Sequence, residues 1–125
     1  MKYKYLEKVV KIENTPYGWC PDDSRQKKWK KQREEYGFDE RETWDLDYSF
    51  FCWLYSRLIM YKKIACIDLS FNKYKIKGKE ITQAQCIDIM IKDCEKILRS
   101  KVDRYQKERN EVLNIWRICS KDMWW

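Results

Sequence analysis

Glu40, Glu42, Asp45 and Asp47 place four carboxylates in one short stretch, "ERETWDLD". Clustered carboxylates are the raw material of a hard-cation site or of acid–base chemistry. Asp45 and Asp47, however, stand two residues apart, so on a helix they diverge by about 200°. The start of a helix accounts for the acids more simply, because each is favoured there by about 0.3–1 kcal/mol. The chain has no His, which removes Ser-His-Asp and Cys-His mechanisms. Gly18, Gly37 and Gly78 are isolated, so no Gly-rich phosphate loop exists. Cys20, Cys52, Cys66, Cys86, Cys94 and Cys119 form no Cys-x-x-Cys pair, and all but Cys20 lie in apolar segments, where a thiol behaves as a small hydrophobe. The expectation is therefore no catalytic residue, no metal and no cofactor.

Cations beside aromatic rings offer different chemistry. An anionic ligand with an aromatic group, such as a nucleotide, needs cations for its phosphates and a flat apolar face for its base. Arg41 and Arg57 stand near Trp44, Trp53 and Tyr61, and Arg109 stands near Tyr105. These seven are the candidate ligand-binding residues. A solvated basic face over ordinary core aromatics is the plainer alternative. Arg57 departs most from it: it lies within an apolar stripe, where a guanidinium needs Asp47, Glu42 or a bound anion as partner.

The whole chain agrees with binding rather than catalysis. Its net charge of +7 favours anionic partners and argues against an acidic mimic of DNA. Its aromatic content of 16%, with seven Trp and nine Tyr, exceeds what one small core holds, and part of it belongs at an interface or pocket. The absence of a membrane-length apolar run or leader-like segment, with unpaired cysteines, leads to a reduced, cytosolic protein with no membrane contact.

The elements that must position these residues are mostly helical. The 125 residues read as one domain: 1–21 an N-terminal segment and loop, 22–98 a helical core, 99–125 a projecting or oligomerising helix. Asp22, Asp23 or Ser24 is placed to cap a polar helix that Gly37 ends, with Trp29 and Tyr36 on its narrow apolar stripe. Asp39 or Thr43 is placed to cap the next helix, apolar on most faces from Leu46 to Ile64 and therefore central. Residues 69–81 suggest a loop or short β-hairpin. Thr82 and Gln85 form a capping box for a further helix. Helical spacing then runs to Cys119 without Gly or Pro. Unbroken, that helix would be about 57 Å long. Such a length exceeds a domain of this size, so the helix either breaks near 99–110 or projects and pairs with another copy. The apolar tail "NIWRICSKDMWW" beyond a charged span favours a homo-oligomer.

"GFDERETWDLDYSFFCWLYSRLIMYKK", followed by "ITQAQCIDIMIKDCEKIL", resembles a family of small phage and prophage proteins through Gly37, Glu42, Thr43, Trp44, Leu46, Asp47, Arg57, Leu58 and Lys62. The likeness covers about half of the chain. Ser56 stands where those relatives carry a proline, which leaves this helix straighter. The family brings no assigned activity and hence no site residue. The resemblance implies a non-enzymatic phage accessory protein in the host cytosol, acting against host defence. One form sequesters an anionic, nucleotide-type immune signal. Another docks on a defence effector, such as a CRISPR nuclease complex, through Trp116, Trp124 and Trp125. A third is a phage regulator that binds nucleic acid.

Overall fold

The computed structural model describes residues 2–65, 72–100 and 105–124. The described part is mainly helical: α1 (Gln26–Tyr36), α2 (Leu46–Ile64), a hairpin of β1 (Lys73–Ile76) and β2 (Lys79–Thr82), α3 (Gln83–Arg99) and α4 (Gln106–Cys119). Short 3-10 turns cover Leu6–Lys8, Ile12–Asn14, Glu40–Thr43 and Ser120–Asp122. The first two fall within the N-terminal segment, 1–21.

Local chemistry sets most boundaries. Gly37 ends α1 in the left-handed conformation, with φ of 86°, and its N–H donates to the Arg33 carbonyl. No side chain caps the start of α1, because Asp23 is held by Arg25 instead, through the backbone N–H, Nε and Nη2 at 2.9 Å each. Asp39 caps the 3-10 turn and Asp45 caps α2, accepting from Tyr48 N–H at 3.1 Å. Thr43 instead donates to the Glu40 carbonyl. The Thr82 capping box forms in both directions. Lys77 and Gly78 both have positive φ, as a two-residue turn between right-twisted strands requires, and the hairpin pairs antiparallel with Lys73 opposite Thr82 and Ile76 opposite Lys79.

α2, α3 and α4 share the core. Phe51, Leu54, Tyr55 and Leu58 of α2 meet Cys86, Ile87, Met90, Cys94, Ile97 and Leu98 of α3, and Val112, Ile115 and Cys119 of α4. Leu6 of the N-terminal turn closes one edge. α3 stops at Ser100, whose backbone is extended, and α4 starts at Gln106. α4 runs back antiparallel along α3, since Gln83 at the start of α3 donates to the Asp122 carbonyl beyond the end of α4. Of the two expected alternatives for the C-terminal helix, the described residues show the break near 99–110, and α4 does not project. The physical reason is that Val112, Ile115 and Cys119, spaced on one face, are fully buried against α3. No helix of the described residues is long and apolar enough to cross a membrane.

α2 is apolar on two faces. Leu46, Phe50, Trp53, Arg57, Met60 and Ile64 recur at intervals of four and three on the side away from the core. Of these, Leu46 is 68% exposed, Met60 50% and Ile64 50%.

Candidate functional site

The outer face of α2 forms one wall of an open groove of about 1520 Å³. The N-terminal segment, from Lys2 to Tyr5 and from Pro16 to Gly18, forms another wall, and the end of α1 with Phe38 and Asp39 a third. Gly18 lets the N-terminal wall close up, because a Cβ there would lie 2.5 Å from the Ile12 carbonyl oxygen. Tyr3 and Tyr17 stack in this wall at 4.7 Å between centroids. The lining carries Lys2, Lys4, Arg33, Arg41 and Arg57 against Asp39 and Glu42, a net positive surface.

The groove brings together Arg41, Trp53 and Arg57 of the sequence-predicted set, but in different roles. Arg57 is exposed. Its guanidinium lies 4.6 Å above the Trp53 ring and Nη1 donates to the Trp53 carbonyl at 3.2 Å. It forms no ion pair among the described residues; Glu42 acts on it only at longer range. Trp53 is 38% exposed and stacks on Phe50. Of the partners expected for Arg57, Asp47 is taken by Arg109 and Glu42 forms no ion pair with it, so the outward-facing guanidinium is left to solvent or a bound anion.

Arg41 is a structural residue. It is 4% exposed, and its Nε and Nη2 donate to the two Asp39 oxygens at 3.0 and 2.8 Å. Nη1 donates to the Trp19 carbonyl, and the guanidinium lies over Trp29 at 4.5 Å. Burial pushes the Asp39 carboxyl up, but hydrogen bonds from Arg41 and Arg33 outweigh that and hold it below its ordinary range. The expected ligand role for Arg41 gives way to this buried pairing.

The remaining candidates lie outside the groove lining. Trp44 belongs to a separate aromatic cluster, nearly parallel to Trp19 at 6.1 Å and edge-on to Trp29 at 5.7 Å, with Arg25 over both Trp29 and Trp44. Tyr61 is half-buried and shares a hydrogen bond with the Gln83 side chain. Tyr105 is half-buried at the start of α4 and packs on the core. Arg109 donates from Nε to both oxygens of Asp47, at 2.9 and 3.0 Å, tying α4 to the first turn of α2. The sequence places Arg109 and Tyr105 with a ligand; the structure assigns them to packing between helices.

The four acids of the opening stretch are likewise dispersed. Glu40 accepts from Trp29 Nε1 and pairs with Lys28, and Glu42 is hydrogen-bonded to Tyr17. Asp45 caps α2 and Asp47 holds Arg109. Burial pushes the Glu42 carboxyl up, the Asp39 charge adds to that, and the Tyr17 hydrogen bond opposes it. Among the described residues no group of three or more His, Cys, Asp or Glu is placed to hold a metal ion.

Sequence reasoning missed the N-terminal wall and Ser49. Ser49 lines the groove, yet its Oγ is buried, with no hydrogen-bond partner among the described residues, at a cost in free energy. The alternation of Lys2, Tyr3, Lys4 and Tyr5 is the signal that could have pointed to this wall. Of the aromatic patch expected at the C-terminus, Trp116 packs edge-on against Phe50 at 6.3 Å, Trp124 is 77% exposed, and Trp125 lies outside the described residues.

The groove offers cations beside stacked and exposed rings. No protein-family model matches the chain, and no curated protein or solved structure matches it either.

Proposed function

We propose that this protein is a non-enzymatic binding protein that captures an anionic ligand bearing an aromatic group, of the nucleotide class, in the groove beside α2. The observation that carries the reading is Arg57 lying over the half-exposed Trp53 ring with no ion pair of its own among the described residues. A guanidinium so placed offers a bidentate donor for phosphate, and the exposed edge of the ring beneath it an apolar contact. Lys2 and Lys4 on the facing wall supply further positive charge.

With the resemblance to phage accessory proteins, the biological setting is sequestration of a nucleotide-type defence signal in the host cytosol. The groove is wider than a usual small-molecule pocket of about 300–1,000 Å³, which suits a ligand larger than a mononucleotide or one held between two copies.

The test is a titration followed by fluorescence anisotropy, with mant-ADP as probe. Saturable, stoichiometric binding is expected, about tenfold weaker or more in Arg57→Ala. No saturable binding, or equal affinity in Arg57→Ala, overturns the reading. A duplex DNA probe that binds in place of mant-ADP, with affinity falling steeply in salt, would move the protein to the nucleic-acid class.

A further inference from the structure

We infer that Glu42 sets the charge that the groove accepts: as a neutral acid it donates its O–H to the ligand's phosphate, and as a carboxylate it repels that phosphate, so that capture of the ligand is coupled to one proton taken from solvent.

The inference deepens the ligand reading and rests on it. Among the described residues two acids line the groove, Asp39 and Glu42, and they differ in their partners. Asp39 is ion-paired to Arg33 at 2.7 Å and to Arg41 at 2.8 Å. Glu42 forms no ion pair among the described residues, and Arg57 and Arg41 act on it only at longer range. Both guanidiniums are otherwise engaged. Arg41 is closed around Asp39 and the Trp19 carbonyl, and Arg57 lies over Trp53.

The position of Glu42 is fixed from two sides. It belongs to the Glu40–Thr43 turn, where its N–H donates to the Asp39 carbonyl at 3.1 Å and Thr43 Oγ1 donates to the Glu40 carbonyl. From the N-terminal wall, Tyr17 supplies a hydrogen bond to the carboxyl. Tyr17 in turn stacks on Tyr3 and follows the buried Thr15 and Pro16. The carboxyl is thus half-buried where the N-terminal wall meets the α2 wall, and it lines the space between them.

The surrounding charges favour the neutral acid. Burial pushes the Glu42 carboxyl up and the Asp39 charge adds to that; the Tyr17 hydrogen bond and the Arg57 and Arg41 charges oppose it without cancelling it. Cys52 of α2 also faces Glu42, but burial keeps that thiol protonated and uncharged. Burial and the Glu42 charge push the Tyr17 phenol up as well, which leaves it a neutral donor. A phosphate drawn to Arg57 brings a second negative charge beside that of Asp39, and a like charge disfavours ionisation further. An ionised carboxyl only accepts hydrogen bonds, whereas a protonated one has an O–H to give to a phosphate oxygen. Glu42 therefore changes from repelling the ligand to holding it on gain of one proton.

Anisotropy titrations with mant-ADP from pH 5 to pH 8 test this in the wild type, Glu42→Gln and Tyr17→Phe, each checked for fold by circular dichroism. Wild-type affinity is expected to fall as pH rises, by up to about tenfold per pH unit above the Glu42 titration. Glu42→Gln keeps the shape and a permanent N–H donor, so it is expected to hold the low-pH affinity across the range. The probe's own phosphate and Asp93 titrate alike with both proteins, so the difference in slope belongs to Glu42. Tyr17→Phe removes a hydrogen bond that favours the carboxylate, so the fall in affinity should begin at higher pH. Calorimetry with ADP in two buffers of different ionisation enthalpy counts the protons; the wild type should take up more than Glu42→Gln, by a difference approaching one. Equal slopes or equal proton counts in these two proteins overturn the role of Glu42 and leave the ligand reading standing. So does a folded Glu42→Gln that binds weakly at every pH, or a Tyr17→Phe profile that stays in place or moves to lower pH. Absence of saturable binding to the wild type at every pH overturns the ligand reading and this inference with it.

Discussion

Asp93 of α3 and Glu111 of α4 face each other as a hydrogen-bonded pair of carboxyl groups. Burial, the hydrogen bond to Glu111 and its charge push the Asp93 carboxyl up to about 7. Glu111 is held below its ordinary range by the hydrogen bond from Asp93 and by Lys77, whose Nζ donates to Glu111 Oε2 at 2.9 Å. Lys96, Glu108 and Lys107 complete the charged surroundings. Asp93 is 5% exposed and its Oδ2 has no hydrogen-bond partner among the described residues.

The sign of the pH dependence follows. The folded Asp93 holds its proton far above the ordinary 3.8, so its contribution to stability is full below that value and fades as pH rises through about 7. Glu111 works in the opposite sense, but its contribution is lost only in acid, below its ordinary 4.5. Between pH 5 and pH 8, set by these two groups, stability is expected to fall by about 1–3 kcal/mol. Thermal melts across that window in the wild type and in Asp93→Asn check this. Asn keeps the shape and donates to Glu111, so the slope should flatten; identical slopes would show that the pair does not carry it.

Arg41 anchors the joint between α1 and α2 rather than a ligand. Arg41→Ala would leave Asp39 buried with only Arg33 as an ion-pair partner, at 2.7 Å. A loss of about 3–5 kcal/mol is expected from the uncompensated charge, measured by urea unfolding. Arg41→Lys should recover little of it, because an ammonium cannot bridge both Asp39 oxygens and the Trp19 carbonyl in one plane.

Arg57 and Arg109 look alike in sequence and should part under mutation. The Arg109 pair with Asp47 is one-third and nearly one-half exposed, so Arg109→Ala is expected to cost no more than about 1 kcal/mol and to leave mant-ADP affinity unchanged. Arg57→Ala should do the reverse, losing affinity with little change in stability. Parallel titrations and melts of the two variants decide it.

The thiols divide by burial. Burial pushes Cys52, Cys94 and Cys119 up to about 12, and Cys86 also upward. Among the described cysteines only Cys20 is exposed. Titration of the native protein with a thiol reagent at pH 8 should therefore label Cys20 rapidly and these four only on unfolding. Fast labelling of Cys52 or Cys94 would mean that the helical core opens locally.

What the sequence made legible was local. The Gly37 stop and the Thr82 capping box need only neighbouring residues, and both formed. Domain size left a break near 99–110 and a projecting helix both open, and the burial of Val112, Ile115 and Cys119 against α3 decides for the break. The cap of α1 did not follow, because Arg25 competes for the Asp23 carboxylate two residues away. The candidate site was legible only at Arg57 and Trp53, which sit one turn apart on the same helix. Arg41 reaches the Trp19 carbonyl and Arg109 reaches Asp47 across 22 and 62 positions. No spacing rule encodes such pairings; they follow from how the helices pack. Nor does any period betray the N-terminal wall, which is built from 3-10 turns.

The tryptophans around α1 also make the fold observable by its optics. Trp29 is fully buried and lies at 76° to Trp44, whereas Trp19 lies at only 4° to the same ring. Two indoles close together and crossed couple their transitions into a bisignate circular-dichroism band, while two parallel ones contribute little rotation. The Trp29–Trp44 couplet is thus a private signal of the joint between α1 and the Glu40–Thr43 turn. It can fade while the helical signal of α3 and α4 persists, so the order in which the two halves melt can be read in one cuvette.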